Sequence, residues 1–281
     1  MSEFADIDTA YDAWEAAGRD WGAVTYGLIY TCNAGWLDLG HLNPESDRRQ
    51  IGARNLWDQV RTQGPDHVRH ECSLESADLN VGYTVLRQWL YGCGKDPLSR
   101  FPDGSTGFTV RYRQDHAGYP GRPGVGGVFL VRKGLTEAQG KSVALSIFMD
   151  ISHAFESFQS WIPDRITDSG YSQEDLVSNL IGFHIAVGTV SKREALRLAH
   201  PVDRETAKAV WIAHGSVGSN PNETFDPVLR DTYRIDDADR MCTDACVGQP
   251  RQFPSQFRSV RPAPEGADWR KLSSDALLSV D

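Results

Sequence analysis

Apolar positions recur at three- and four-residue steps along much of the chain, and these stretches predict helices. Residues 3–17 carry Phe4, Ile7, Tyr11 and Trp14 on one face, with Gly18 as a stop. Ile51, Leu56, Trp57 and Val60 predict a second helix over about 46–62, closed by Gly64 and Pro65. Ser73 can cap a third, with Leu74, Leu79, Val81, Val85, Leu86, Trp89 and Leu90 inward and Gly92 beyond its end. The strongest pattern spans 136–161: Thr136 and Gln139 form a capping box, and Val143, Ile147, Ile151, Ala154 and Phe158 make a core stripe. The helix predicted from Ser172 to about Val187 is apolar almost all round, which predicts a central place. Ser191 with Glu194 opens a shorter helix that ends before Pro201. Asp203 caps one more, to about His214, with Gly215 after it.

The period drops to two at Phe108, Val110 and Tyr112, and Val125 to Val131 is a second strand candidate. A Gly/Pro-rich connection between them completes a hairpin. From 216 onward the chain is rich in Pro, Gly, Asn and Asp and weakly periodic, which reads as a partly mobile wrapping tail with one or two short helices. The expected fold is therefore mainly α: a helical core domain over 1–215 with a β-hairpin insertion at 107–132, and a loop-rich tail over 216–281.

The candidate chemistry begins where the apolar run Val24 to Tyr30 gives way to Thr31-Cys32-Asn33-Ala34-Gly35-Trp36-Leu37-Asp38-Leu39-Gly40-His41. A turn at Asn33 predicts a short helix with Asp38 and His41 on one face. The pair recurs as Asp150 and His153, with Glu156 three residues further on. Opposite its core stripe, the 136–161 helix shows Ser146, Asp150, His153, Ser157 and Ser160. A solvated face normally carries Lys, Arg and Glu. The short polar face fits a pocket lining; the plain alternative is a face in water, with His153 in a local hydrogen bond.

If the two Asp-x-x-His pairs meet, Asp38, His41, Asp150 and His153 form a divalent-metal site suited to zinc, manganese or iron. Such a metal makes a hydrolytic nucleophile of water. Equally, the same residues with Glu156 form a metal-free acid/base set. Cys32 offers a different mechanism: a thiolate at a helix N-terminus, paired with His41, as in amidases and peptidases. Against it stands simple buried packing. A third class is a non-enzymatic binding protein in which the polar residues only pin helices.

Ser178, Asn179 and His184 are polar residues in an apolar helix and need partners; Asn179 can steady a site from behind. Glu174 and Asp175 read as favourable charges at a helix N-terminus. Cys242 and Cys246 lack the second pair a structural zinc needs. Gly124 to Gly127 is not followed by a predicted helix, so the dinucleotide fingerprint fails.

Composition narrows the classes. A net charge of −9 over 281 residues argues against a nucleic-acid binder. No apolar stretch approaches the roughly 20 residues of a membrane span. The acidic N-terminus lacks the features of a Sec signal. Five cysteines at irregular spacing suit a reduced cytoplasmic protein; the alternative is a cytosolic product exported by a signal-independent machine.

Tyr30 to His41 and Glu174 to Gly182 together resemble an uncharacterised bacterial domain family. It is marked by Tyr-Thr-Cys-x-x-Gly-aromatic-x-Asp-x-x-His and a later Glu-Asp-Leu-x-Ser-Asn-x-x-Gly. Its members are often envelope lipoproteins. The resemblance implies bacterial origin and a shared site, without a reaction. The chain departs from it in lacking an export or lipidation signal. The expected function is a hydrolase of an envelope or lipid-like substrate, with delivery as a secreted effector bringing secretion-machine or immunity partners.

Overall fold

The computed structural model describes residues 2–46, 50–63, 100–115, 124–161, 171–236 and 241–277. The helix expected after Ser73 lies outside them. The fold is mixed α/β, not mainly α. Among the described residues, helices α1 (Phe4–Ala16), α2 (Ala53–Arg61), α3 (Glu137–Trp161), α4 (Asp175–Ala186), α5 (Lys192–Ala199) and α6 (Arg204–His214) share it with seven strands in three sheets. The strands are β1 (Leu28–Thr31), β2 (Gly35–Asp38), β3 (Gly107–Asp115), β4 (Gly124–Arg132), β5 (Tyr233–Asp236), β6 (Met241–Asp244) and β7 (Trp269–Leu277).

The chain forms two compact units, one of residues 1–45 and 152–259, the other of 46–151 and 260–281. This differs from the expected cut at residue 215, because the C-terminal segment contributes strands to both units instead of forming a loose tail.

In the second unit β3 pairs antiparallel with β4, and β4 with β7, through a register shift between Val128 and Phe129. The expected hairpin is thus two-thirds of a sheet. Every residue from Gly124 to Val131 is buried, as befits a central strand flanked on both sides. Gln59 of α2 joins that helix to β3: its amide accepts from the Arg111 amide (3.0 Å) and donates to the Arg111 carbonyl (2.9 Å).

In the first unit the helix predicted around Asp38 and His41 is absent. Leu28–Thr31 and Gly35–Asp38 form a tight hairpin, with Leu28 opposite Asp38 and Tyr30 opposite Trp36. The rings of that cross-strand pair meet edge-on at 5.1 Å. Gly35 adopts a φ of +66°, and a β-carbon there would lie 2.5 Å from the Val228 carbonyl oxygen, so the turn requires glycine. Both strands are buried almost throughout, which favours the hairpin over the expected short helix with one polar face.

The expected caps hold. Ser191 accepts from the Glu194 amide at 3.2 Å and Asp203 from the Thr206 amide at 2.8 Å, while Thr136 and Gln139 form the reciprocal box. Helix α4 is buried along nearly its whole length, as its all-round apolar sequence predicts.

Candidate metal centre

Asp38 ends β2 and His41 lies in the turn that follows. Asp38 Oδ1 accepts from the amides of Gly40 (2.6 Å) and His41 (3.2 Å), so its carboxylate shapes the turn that presents the imidazole. The Asp38 amide donates to Ser178 Oγ of α4 at 2.9 Å, and the Ser2 hydroxyl donates to Asp38 Oδ2 at 3.3 Å. Ser178 thereby finds the partner its burial demands.

One turn back along α4, Asp175 faces the same place. Its Oδ1 lies 3.4 Å from His41 Nδ1. Donor atoms of Asp38, His41 and Asp175 all fall within 4.8 Å of one another, and the three can hold a metal ion. The Asp175 side chain is 8% exposed and that of His41 36%, so the group has a buried floor and a solvent-facing imidazole.

Two further carboxylates join them. Glu174 and Glu156 are both completely buried. Glu156 Oε2 accepts from the Tyr171 amide at 3.1 Å, but Glu156 Oε1 and both oxygens of Glu174 have no hydrogen-bond donor. Among the described residues no Lys or Arg forms an ion pair with any of the four acids. Such a set costs several kcal/mol if ionised without compensation.

The protonation equilibria follow. Burial pushes the Asp175 carboxyl well above its usual range, and the neighbouring charges of Glu174, Glu156 and Asp38 push it further. Burial likewise raises Glu174 to about 7. Burial also raises Glu156, against the pull of His41 and the Tyr171 amide.

Of the expected residues the structure thus brings together Asp38 and His41, with Glu156 felt there only through its charge. Asp150 belongs to the other unit, where Lys271 Nζ donates to its Oδ2 at 2.6 Å. His153 is not in the three-donor group: its ring packs edge-on against Phe225 at 5.0 Å, and its carbonyl accepts from the Tyr171 hydroxyl at 3.2 Å. The expected pairing of two Asp-x-x-His motifs as ligands is therefore replaced by one such motif and Asp175. Ser146 donates to the Ala263 carbonyl (2.8 Å), and Ser157 is exposed.

Cys32 is bonded to Cys246 in a disulfide, with α-carbons 5.5 Å apart. This corrects both the expectation of reduced cysteines and the reading of Cys32 as a nucleophile, since a disulfide sulfur carries no free thiolate. It also accounts for Cys246 without zinc.

Glu174 and Asp175 escaped the sequence reading because acidic residues in a first helical turn have an ordinary electrostatic role. The available signal was their position at the head of a helix with no polar face, which forces them into the interior.

No family model matches the chain, nor does any curated protein or solved structure.

Proposed function

We propose that Asp38, His41 and Asp175 bind a divalent cation at the catalytic centre of a hydrolase. The observation that carries this reading is the pair of fully buried carboxylates, Glu156 and Glu174, three of whose four oxygens lack a hydrogen-bond donor, beside a ready three-donor group that no Lys or Arg among the described residues pairs with. Interiors do not keep such groups ionised without a positive partner. Carboxylate and imidazole donors suit manganese, iron or zinc.

A bound ion would supply Lewis-acid activation of water. The chain's own contribution is positional. Asp38, fixed by two turn amides, orients His41 at the solvent side, while the Tyr171 amide aims Glu156 for proton uptake. An envelope or lipid-like substrate rests on the likeness of Tyr30 to His41 and Glu174 to Gly182 to bacterial envelope proteins. Those two stretches supply four of the five cluster residues. The disulfide favours action in an oxidising compartment, consistent with an exported effector met there by an immunity partner.

The test is growth of bacteria expressing the wild type or His41→Ala, retained in the cytoplasm or directed to the periplasm. Growth arrest only by periplasmic wild type is expected. Equal growth of all four strains overturns the envelope-directed hydrolase.

One observation favours a second, non-enzymatic reading: the Asp38 carboxylate already accepts three hydrogen bonds that pin its turn. In that case a cation only ties the turn to α4. His41→Ala would then lower the melting temperature while leaving any growth phenotype intact.

A further inference from the structure

The second unit holds a cavity of about 430 Å³ between the end of α2 and the start of α3, with Phe108 of β3 and Arg132 of β4 on its wall. Volumes of this order are those of small-molecule sites. Its floor is apolar: Trp57, Val60, Phe108 and Gly140 are all buried. Its rim is polar, with Arg61, Thr62 and Gln63 exposed. An apolar floor under a few polar groups is the pattern that seats an amphiphilic ligand.

Gly140 keeps that floor open. A glycine inside a helix lowers stability relative to alanine, so its place near the head of α3 calls for a reason. Its φ is not positive, and a β-carbon there would stand 3.5 Å from both Trp57 Cζ3 and Val60 Cγ1, an ordinary contact. Neither backbone nor packing therefore requires glycine at this position. Its effect is on the cavity, because a longer side chain would project against the indole and Val60 and fill the space.

The walls are fixed before anything binds. Gln63 Oε1 accepts from the Gly134 amide at 3.2 Å, which ties the end of α2 to the turn between β4 and α3. Gln59 holds α2 on β3 through its paired bonds to Arg111. A preformed site loses little freedom on binding.

The charged groups at the rim differ in what they have left to offer. Arg132 is committed, its three guanidinium nitrogens meeting Asp103, Ser105 and the Ala267 carbonyl. Glu137 is paired with Lys141 at 2.7 Å. Arg61 uses Nε on Asp58 at 2.7 Å, and its two terminal nitrogens bond no described residue. They are a planar pair of donors of the kind that grips a carboxylate.

We propose that the second unit binds a small amphiphilic carboxylate, its apolar body against Trp57, Val60 and Phe108 and its head on the terminal nitrogens of Arg61.

The test uses the full chain and two probes, naphthalene-2-acetate and its neutral amide, titrated calorimetrically into wild type, Gly140→Leu and Arg61→Gln. Saturable one-to-one binding of the carboxylate by the wild type is expected. Gly140→Leu is expected to lose that binding while melting no lower than wild type, since leucine is the better helix former. Arg61→Gln is expected to weaken the carboxylate about tenfold and to leave the amide unchanged. No saturable heat from the wild type overturns the site. Carboxylate binding by Gly140→Leu as tight as by wild type overturns its location. A Gly140→Leu protein that melts lower shows that the floor has no room for a side chain, and overturns the site too. Amide binding as tight as that of the carboxylate, or undiminished carboxylate affinity in Arg61→Gln, overturns the anionic head. Arg61 is exposed, so its variant gives a reading whatever the substitution at 140 does to the fold.

Discussion

A β-carbon on Gly182 would lie 2.9 Å from the backbone carbonyl oxygen of His41 and 3.1 Å from that of Leu42. Helix α4 therefore approaches the His41 turn as closely as a backbone can. That approach lets Asp175, two turns earlier on the same helix, come within 3.4 Å of the imidazole. A methyl group at 182 must push the turn away, because the atoms it meets are backbone. Gly182→Ala is expected to lower stability by roughly 1–3 kcal/mol and to weaken manganese binding at least tenfold. Calorimetric titration of the folded variant checks this; unchanged affinity would show that the close approach does not set the ligand geometry.

Glu174 gives the metal-free protein a pH signature. Its folded pKa of about 7 lies above the unfolded value of 4.5. The stabilising contribution is thus fully present below pH 4.5 and lost as pH rises through 7. Glu174→Gln mimics the protonated form. Its stability relative to wild type is expected to grow between pH 4.5 and 7, by about 2–3 kcal/mol in all. Saturating Mn²⁺ should cancel or reverse that gain. Urea denaturation across pH, with and without the ion, measures both; a gap independent of pH and metal contradicts the account.

His184 runs the other way. It is fully buried in α4 between Phe183 and Phe257, with neither ring nitrogen hydrogen-bonded, and burial lowers its pKa to about 4. Here the unfolded chain takes up the proton first, so the wild type loses stability as pH falls from 6.5 towards 4. His184→Leu is expected to be at least as stable at pH 7. Its advantage should widen by about 3 kcal/mol at pH 4. Equal acid sensitivity of the two proteins would mean that the ring is protonated in the fold.

These sites show how much the sequence held. The caps of α3, α5 and α6 and the β3–β4 hairpin were legible because each depends on residues a few positions apart. β7 was not, because it joins β4 from more than a hundred residues away. The unbroken burial of Gly124 to Val131 was its trace, since an alternating strand would have signalled one free side. Asp38 and His41 were found by a spacing that suits a helix but is met here by a carboxylate-capped turn. Asp175 comes next to them only through the packing of α4, a relation no local pattern encodes.

The disulfide closes a loop across 214 residues, from the hairpin turn to the segment after β6. Removing it with Cys246→Ser is expected to destabilise the protein by roughly 3–5 kcal/mol. The β1–β2 turn keeps other holds, including the Cys32 amide on the His200 carbonyl at 3.0 Å and the Asn33 side chain on the Leu198 carbonyl at 2.9 Å. Metal affinity should therefore change little. Cys32 should react with iodoacetamide only in the variant or after reduction; labelling of the oxidised wild type at Cys32 would contradict the pairing.

Asp150 offers a control, because its carboxylate is engaged by Lys271. Asp150→Asn is expected to leave manganese affinity within twofold of wild type and to cost at most about 1 kcal/mol, as a part-exposed ion pair does. A tenfold loss of affinity would restore Asp150 to the ligand set.

The most direct measurement is calorimetric titration of Mn²⁺ into chelator-treated wild type and Asp175→Asn at pH 7.5. Micromolar or tighter binding by the wild type is expected, with a loss of about a hundredfold when this carboxylate is neutralised. A wild type that takes up no cation, or an Asp175→Asn protein that binds as tightly, would contradict the claim that Asp38, His41 and Asp175 form a metal centre.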